Sequence, residues 1–212
     1  MKPTDWIEGA KAAHAELLAD LAGFDDAACR AAALLPHWSR GHVVSHLARN
    51  AESHTRMFLA AQQGEVVAQY PGGSEQRAGD IEAGAHRPAA ELVADLTAAT
   101  AALEAAWDST TADVWRTGQG RTGAGVDVGL DELVFRRWRE TEVHHNDLGI
   151  GYTWARWPAG YVAEDLRRAT ARYIDSYGEL PTAALTLIPA ERLAWLLGRH
   201  WPDGVHEAPP WD

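Results

Sequence analysis

The sequence predicts a mainly α-helical protein: an antiparallel bundle of four long helices, followed by a small C-terminal unit. Three observations carry this. Four long stretches repeat apolar residues at helical spacing, each with a start or stop signal at its ends. Their connections are of mixed length, as bundles allow. Past Gly149 the pattern changes, and one strand-like alternation, Ala184 to Ile188, lies between two further helical stretches.

Taken in order, Thr4 is placed to cap a first helix running to about Leu21, with Trp6, Ala10, Leu17 and Leu21 on its buried side. Phe24 to Ala33 reads as a short helical connector, and Leu34-Leu35-Pro36-His37-Trp38 as a break. Ser39 then caps a second helix, from Arg40 to Gln63, closed by Gly64. On it Ser39, Val43, His46, Asn50, Ser53 and Met57 share one column, bordered by Leu47, His54 and Phe58. Glu65 to Arg87 is loop-like, with room for a short helix from Ser74 to Ala83. Pro88 suits the first turn of a third long helix, which reaches Trp107 and turns Leu92, Leu96 and Leu103 inward. Asp108 to Gly129 is a glycine-rich excursion compatible with a short hairpin, and the fourth long helix runs from Leu130 to Leu148. A boundary falls between Gly149 and Trp157, giving units of 1–152 and 153–212. The second holds a helix from Pro158 to Tyr177, the strand pattern, a short helix from Ala190 to Leu197, and an irregular tail from Pro202.

The chain has 212 residues and is 46% hydrophobic, enough for a bundle core plus a small appendage. Its formal charge of -11 argues against a nucleic-acid partner, which needs basic surface. Cys29 is the single cysteine, so neither an internal disulfide nor a cysteine-based zinc site is expected, and a reduced, cytoplasmic setting fits. Met1 to Asp20 lacks the apolar run of a signal peptide, and no stretch is apolar enough for a membrane span.

The chemistry concentrates in Arg137-Trp138-Arg139-Glu140-Thr141-Glu142-Val143-His144-His145-Asn146-Asp147-Leu148-Gly149. At 100° per residue, Leu133, Arg137, Glu140, His144 and Asp147 fall in one column, beside the apolar Leu130, Val134 and Leu148. A carboxylate and an imidazole one turn apart and aimed at a core are costly unless paired, and a divalent metal pairs them. His46, at the edge of another apolar stripe, is the natural third ligand, leaving a coordination position open. Other sets compete. His42 and His46 are also one turn apart, and Glu142-Val143-His144-His145 contains Glu-x-x-His, although the partner motif of a di-iron bundle is missing. His-Glu-x-x-His is absent. His54, His145 and His200 read as supporting, substrate-facing or surface residues. Asn50 is either a satisfied core amide or a donor to a bound cofactor. Arg199 is either a surface base or the partner of a substrate carboxylate.

Three segments carry a resemblance. Leu35-Pro36-His37-Trp38-Ser39-Arg40-Gly41-His42-Val43-Val44-Ser45-His46-Leu47-Ala48-Arg49-Asn50-Ala51 resembles the second-helix motif of the mycothiol-dependent maleylpyruvate isomerase family, within the DinB-like superfamily. Arg139 to Gly149 resembles that family's second metal motif. Leu196-Leu197-Gly198-Arg199, with the ending Pro209-Pro210-Trp211, is similar to its C-terminal signature. The resemblance implies a DinB-like four-helix bundle with a small α/β C-terminal domain, zinc held by His46, Glu140 and His144, and Arg199 as the functional arginine. It also implies mycothiol as a cofactor, a small carboxylate substrate, and conversion of maleylpyruvate to fumarylpyruvate in gentisate breakdown. Neither nucleic acid nor membrane is an expected partner, and a monomer or weak homodimer is expected. Two other readings keep the metal site: a mycothiol S-transferase, and a non-catalytic sensor whose coordination shell is closed by His42.

Overall fold

The structure, a computed structural model, describes residues 1–205. The Pro209-Pro210-Trp211 ending therefore lies outside the described residues. The chain divides into two compact units, Met1–Ile150 and Gly151–Asp212. Among the described residues, no helix is long and apolar enough to cross a membrane.

Four long helices build the first unit: α1 (Thr4–Leu21), α3 (Arg40–Gln62), α5 (Ala89–Ser109) and α7 (Leu130–Asp147). Between them lie α2 (Asp26–Arg30), α4 (Gly73–Ala85), α6 (Ala112–Thr117) and a hairpin of β1 (Gln119–Arg121) and β2 (Asp127–Gly129). α3 packs on α5 and α7, and α1 packs on α7 and α5, so the four close a ring around one core. Leu17, Leu47, Phe58, Leu96, Leu103 and Trp107 sit inside it, each at most 1% exposed. The hairpin pairs Gly120 with Val128 and lies against α3. Arg121 also bonds the backbone of Val67 and Gln69, which fixes the chain entering α4.

The start of α1 departs from expectation. Thr4 is its first helical residue, Pro3 occupies the cap, and no side chain caps it. The Pro3 carbonyl accepts the first helical bond, from Ile7 N, which puts Pro3 at the cap, and proline has no side-chain acceptor to offer the next backbone N–H groups. Ser39 does cap α3: its Oγ accepts from His42 N, while Ser39 N donates to His42 Nδ1, closing a capping box with histidine in the place usually held by Glu or Gln.

The second unit holds a 3-10 turn at Trp154–Arg156, then α8 (Ala159–Tyr177), α9 (Thr182–Leu185) and α10 (Pro189–Leu196). α10 packs on α8 and on the turn, burying Trp195, whose ring lies 5.3 Å from that of Tyr173. The strand expected at Ala184 to Ile188 is absent. Its first residues belong to α9, and the Arg192 guanidinium takes the carbonyls of Ala184 at 2.9 Å, Leu185 at 2.9 Å and Leu187 at 3.1 Å. A lone strand has no neighbour to accept its backbone groups, and here a side chain satisfies them instead. Among the described residues this unit is therefore helical rather than α/β, while the protein as a whole is mainly α, as its periodicity predicts.

Candidate metal centre

α3 begins where α7 ends. Arg40, in the first turn of α3, donates from Nε to Leu148 O at 2.8 Å and from Nη2 to Gly149 O at 3.1 Å. Leu34 N donates to Asp147 O at 2.8 Å. These bonds satisfy carbonyls that a helix C-terminus leaves without partners. They also set the first turns of α3 beside the last turns of α7.

That junction brings His46 of α3 to Glu140 and His144 of α7. His46 Nε2 lies 2.8 Å from Glu140 Oε2, and His144 Nε2 lies 3.4 Å from the same oxygen. One ligand atom from each residue falls within 4.8 Å of the others. The two imidazoles are buried, with ring centroids 4.6 Å apart at 83°, whereas Glu140 keeps 24% of its side chain exposed. The cluster thus opens to solvent on the side of the carboxylate.

The electrostatics follow from this packing. Burial pushes the His46 pKa down to about 4. Burial opposes charge on Glu140 too, but hydrogen bonds from His144 and His46 outweigh it and hold the carboxyl well below its usual range. At His144 burial is again outweighed, by hydrogen bonds to Asp147 and Glu140, and its pKa rises. Of the two imidazoles, His144 is the one whose protonated form the site favours, beside the Glu140 carboxylate, while His46 is neutral.

Each histidine has a second partner. His144 Nδ1 donates to Asp147 Oδ2 at 2.9 Å, leaving Nε2 turned to the cluster, the carboxylate–histidine arrangement typical of metal ligands. His46 Nδ1 lies 3.2 Å from Arg77 Nη2 of α4. A guanidinium only donates, so His46 Nδ1 accepts and Nε2–H donates to Glu140. Trp38 covers His46 edge-on at 5.8 Å, and Arg77 also stands over the Tyr70 ring, 5.9 Å from its centroid. Two imidazole nitrogens and one carboxylate, converging with an open side, fit a zinc-class divalent ion.

The other candidates lie elsewhere. His42 does not join His46; its Nδ1 faces Ser39 and its Nε2 lies 3.1 Å from Glu82. Asn50 is 2% exposed, and its Oδ1 accepts from Arg137 Nη1 at 2.9 Å. His54 is buried with Nδ1 unpartnered, and burial takes its pKa to about 3. His145 turns to Asp20 at 3.0 Å, while Glu142 accepts from Trp138 Nε1. In the second unit, Arg199 Nη1 donates to Leu197 O at 2.7 Å, and His200 pairs with Glu191 at 3.3 Å.

Sequence reasoning passed over Asp147 and Arg77. Asp147 was visible as the next carboxylate in the Glu140–His144 column. Arg77 had no signal, because only the packing of α4 on α3 brings it to His46.

A search of curated proteins finds no match. Two solved structures share the fold. A crystal structure of the mycothiol-dependent maleylpyruvate isomerase superposes with a TM-score of 0.88 at 23% identity, covering 98% of this chain and 96% of that one. A mutant of that enzyme gives 0.87 at 22% identity, with the same coverage. The family model described as mycothiol maleylpyruvate isomerase N-terminal domain matches residues 10–149, more than half the chain. With His46, Glu140 and His144 falling inside that span, the chain belongs to the mycothiol maleylpyruvate isomerase family.

Proposed function

We propose that the protein is a zinc- and mycothiol-dependent isomerase that converts maleylpyruvate to fumarylpyruvate. The observation that carries this reading is the buried His46–Glu140–His144 cluster, open at Glu140, in a chain of this family. The reaction is addition of a thiol to the cis double bond, rotation about the bond made single, and elimination of the thiol to give the trans product. A zinc ion held by His46, Glu140 and His144 would supply Lewis acidity and favour the deprotonated form of a thiol.

The chain's own residues do the rest. His46 and His144 would hold the ion through their Nε2 atoms and Glu140 through an anionic oxygen, which would reduce the net charge at the centre. Asp147 holds the His144 ring in its ligating orientation. Arg77 adds a fixed positive charge beside His46, suited to the negative charge that develops on the enolate oxygen when a thiol adds to the conjugated double bond. Arg199 is assigned to a substrate carboxylate. Asn50 is assigned to anchoring Arg137 rather than to touching the thiol. Cys29 is 2% exposed and burial raises its pKa, so the nucleophilic sulfur is assigned to the cofactor. The engagement of His42 with Ser39 and Glu82 favours an open coordination position over the closed shell of a sensor.

The test follows loss of maleylpyruvate, appearance of the trans isomer and free thiol in one assay. Turnover is expected to need catalytic mycothiol, to return it unchanged, and to survive Cys29→Ser. Arg199→Ala is expected to keep its zinc and lose turnover by tenfold or more, the scale of about 1.4 kcal/mol. Full-rate isomerisation without any thiol would falsify the mechanism. Stoichiometric thiol consumption would identify an S-transferase instead.

A further inference from the structure

A second group of ligand-type side chains lies outside this centre, where α3 and α4 cross. His42 sits in the first turn of α3, and Glu82 and His86 stand four residues apart at the end of α4. Glu82 Oε2 lies 3.1 Å from His42 Nε2, and Glu82 Oε1 lies 3.0 Å from His86 Nε2. The two rings meet edge-on, 5.6 Å apart at 85°, and one ligand atom of each residue falls within 4.8 Å of the others. We infer that His42, Glu82 and His86 form a second divalent-cation site, separate from the His46 centre.

The backbone builds this site. A Cβ at Gly41 would collide with the Ala85 carbonyl oxygen, and one at Gly84 would collide with Ser45 Oγ. The two glycines let α3 and α4 approach closely, and each lies beside the proposed ligands in sequence. The crossing therefore delivers His42 over the Glu82–His86 turn, a placement that a single exposed helical pair would not provide.

The donor chemistry selects the ligand class. Among the described residues, the ion pairs of Glu82 are with the two imidazoles alone, at 3.1 and 3.0 Å, so no lysine or arginine already neutralises it. Two imidazoles and one carboxylate suit zinc, or copper and nickel, rather than the oxygen-seeking magnesium or calcium. His42 Nδ1 accepts from Ser39 N at 3.2 Å, which turns Nε2–H to Glu82. When Nε2 binds a cation the ring proton sits on Nδ1 instead, the Ser39 N bond is given up, and Ser39 Oγ at 2.7 Å accepts the hydrogen bond from Nδ1–H. His42 keeps only 13% of its side chain exposed, whereas Glu82 keeps 66% and His86 68%. The outer site thus has one largely buried ligand and two solvent-exposed ones, and it is expected to bind more weakly than the buried centre. Trp38 stands between the two sites, its ring 6.0 Å from His42 and 5.8 Å from His46.

The experiment titrates the metal-stripped, full-length protein with zinc alone against a chromophoric chelator. Wild type is expected to take two equivalents, the second weaker. His86→Ala and Glu82→Gln are expected to keep the first and lose the second. His144→Ala is expected to lose the tight equivalent and keep the weak one, which separates this inference from the proposed activity. Circular dichroism confirms that each variant is folded; His86 and Glu82 are exposed enough to be replaced without opening the core. Saturation of wild type at one equivalent that is retained in His86→Ala and Glu82→Gln overturns the inference, as does a weak second equivalent that persists in both variants.

Discussion

At the scale of single residues, the two histidines of the buried cluster are prepared differently. His144 already donates from Nδ1 to Asp147 and turns Nε2 inward. Asp147→Asn keeps the shape but removes the charge, and zinc affinity is expected to fall about 10- to 100-fold, the range typical for such supporting partners. Competition with a calibrated chelator measures it. His46 is in the opposite state, because Arg77 donates to its Nδ1. Ligation through Nε2 places a proton on Nδ1, and two donors then face each other. Arg77→Ala removes this conflict together with a nearby positive charge, so zinc should bind about tenfold tighter or better, a gain of roughly 1.4 kcal/mol. Unchanged affinity would make Arg77 a bystander to the metal.

Between elements, the site depends on one junction. Arg40 ties the first turn of α3 to the last carbonyls of α7, and His46 and His144 lie within two turns of that tie. Arg40→Met preserves the stem and removes both bonds. Stability is expected to drop by about 1–3 kcal/mol, the usual cost of orphaned buried acceptors, and zinc affinity is expected to fall with it. Urea denaturation with and without zinc separates the two effects. If only stability moved, the junction would hold the fold but not the ligands.

For the whole molecule, the interior carries more polar chemistry than a bundle core needs. Arg137 is fully buried; its Nε donates to His14 Nε2 at 3.0 Å, and His14 Nδ1 lies 2.8 Å from Glu104. A neutral imidazole thus bridges a buried guanidinium and a carboxylate. Burial lowers His14 to about 4 and His54 to about 3, while burial also lowers Arg137, to about 10, which leaves it charged at neutral pH. The sign of the linkage follows. Above the unfolded histidine value of about 6.5, both states are neutral and nothing changes. Below it the unfolded chain takes up protons that folded His14 and His54 refuse, so stability falls from about pH 6.5 towards pH 4. A tenfold change in proton affinity corresponds to about 1.4 kcal/mol, so the metal-free protein should lose several kcal/mol over that window. His54→Phe should flatten part of the slope. Equal stability of the wild type at pH 7 and pH 5 would contradict the burial of both rings as neutral groups.

The sequence by itself determined the helices and one half of the candidate metal centre. Helical periodicity is local, so the column of Glu140, His144 and Asp147 and the Ser39 cap were legible from spacing alone. His46 stood out as a third ligand at the edge of its own stripe, and the resemblance selected it over the rival sets. Tertiary structure decided what local pattern cannot encode. The Ala184 to Ile188 alternation became α9 and a turn because Arg192, not a neighbouring strand, takes its carbonyls. Arg77 reached His46, and His42 turned to Glu82, because Gly41 and Gly84 let α4 lie directly on α3. Residue spacing fixes which side chains share a face of one helix. Which face then meets which neighbour depends on close approach between distant backbones, and only the packed chain specifies that.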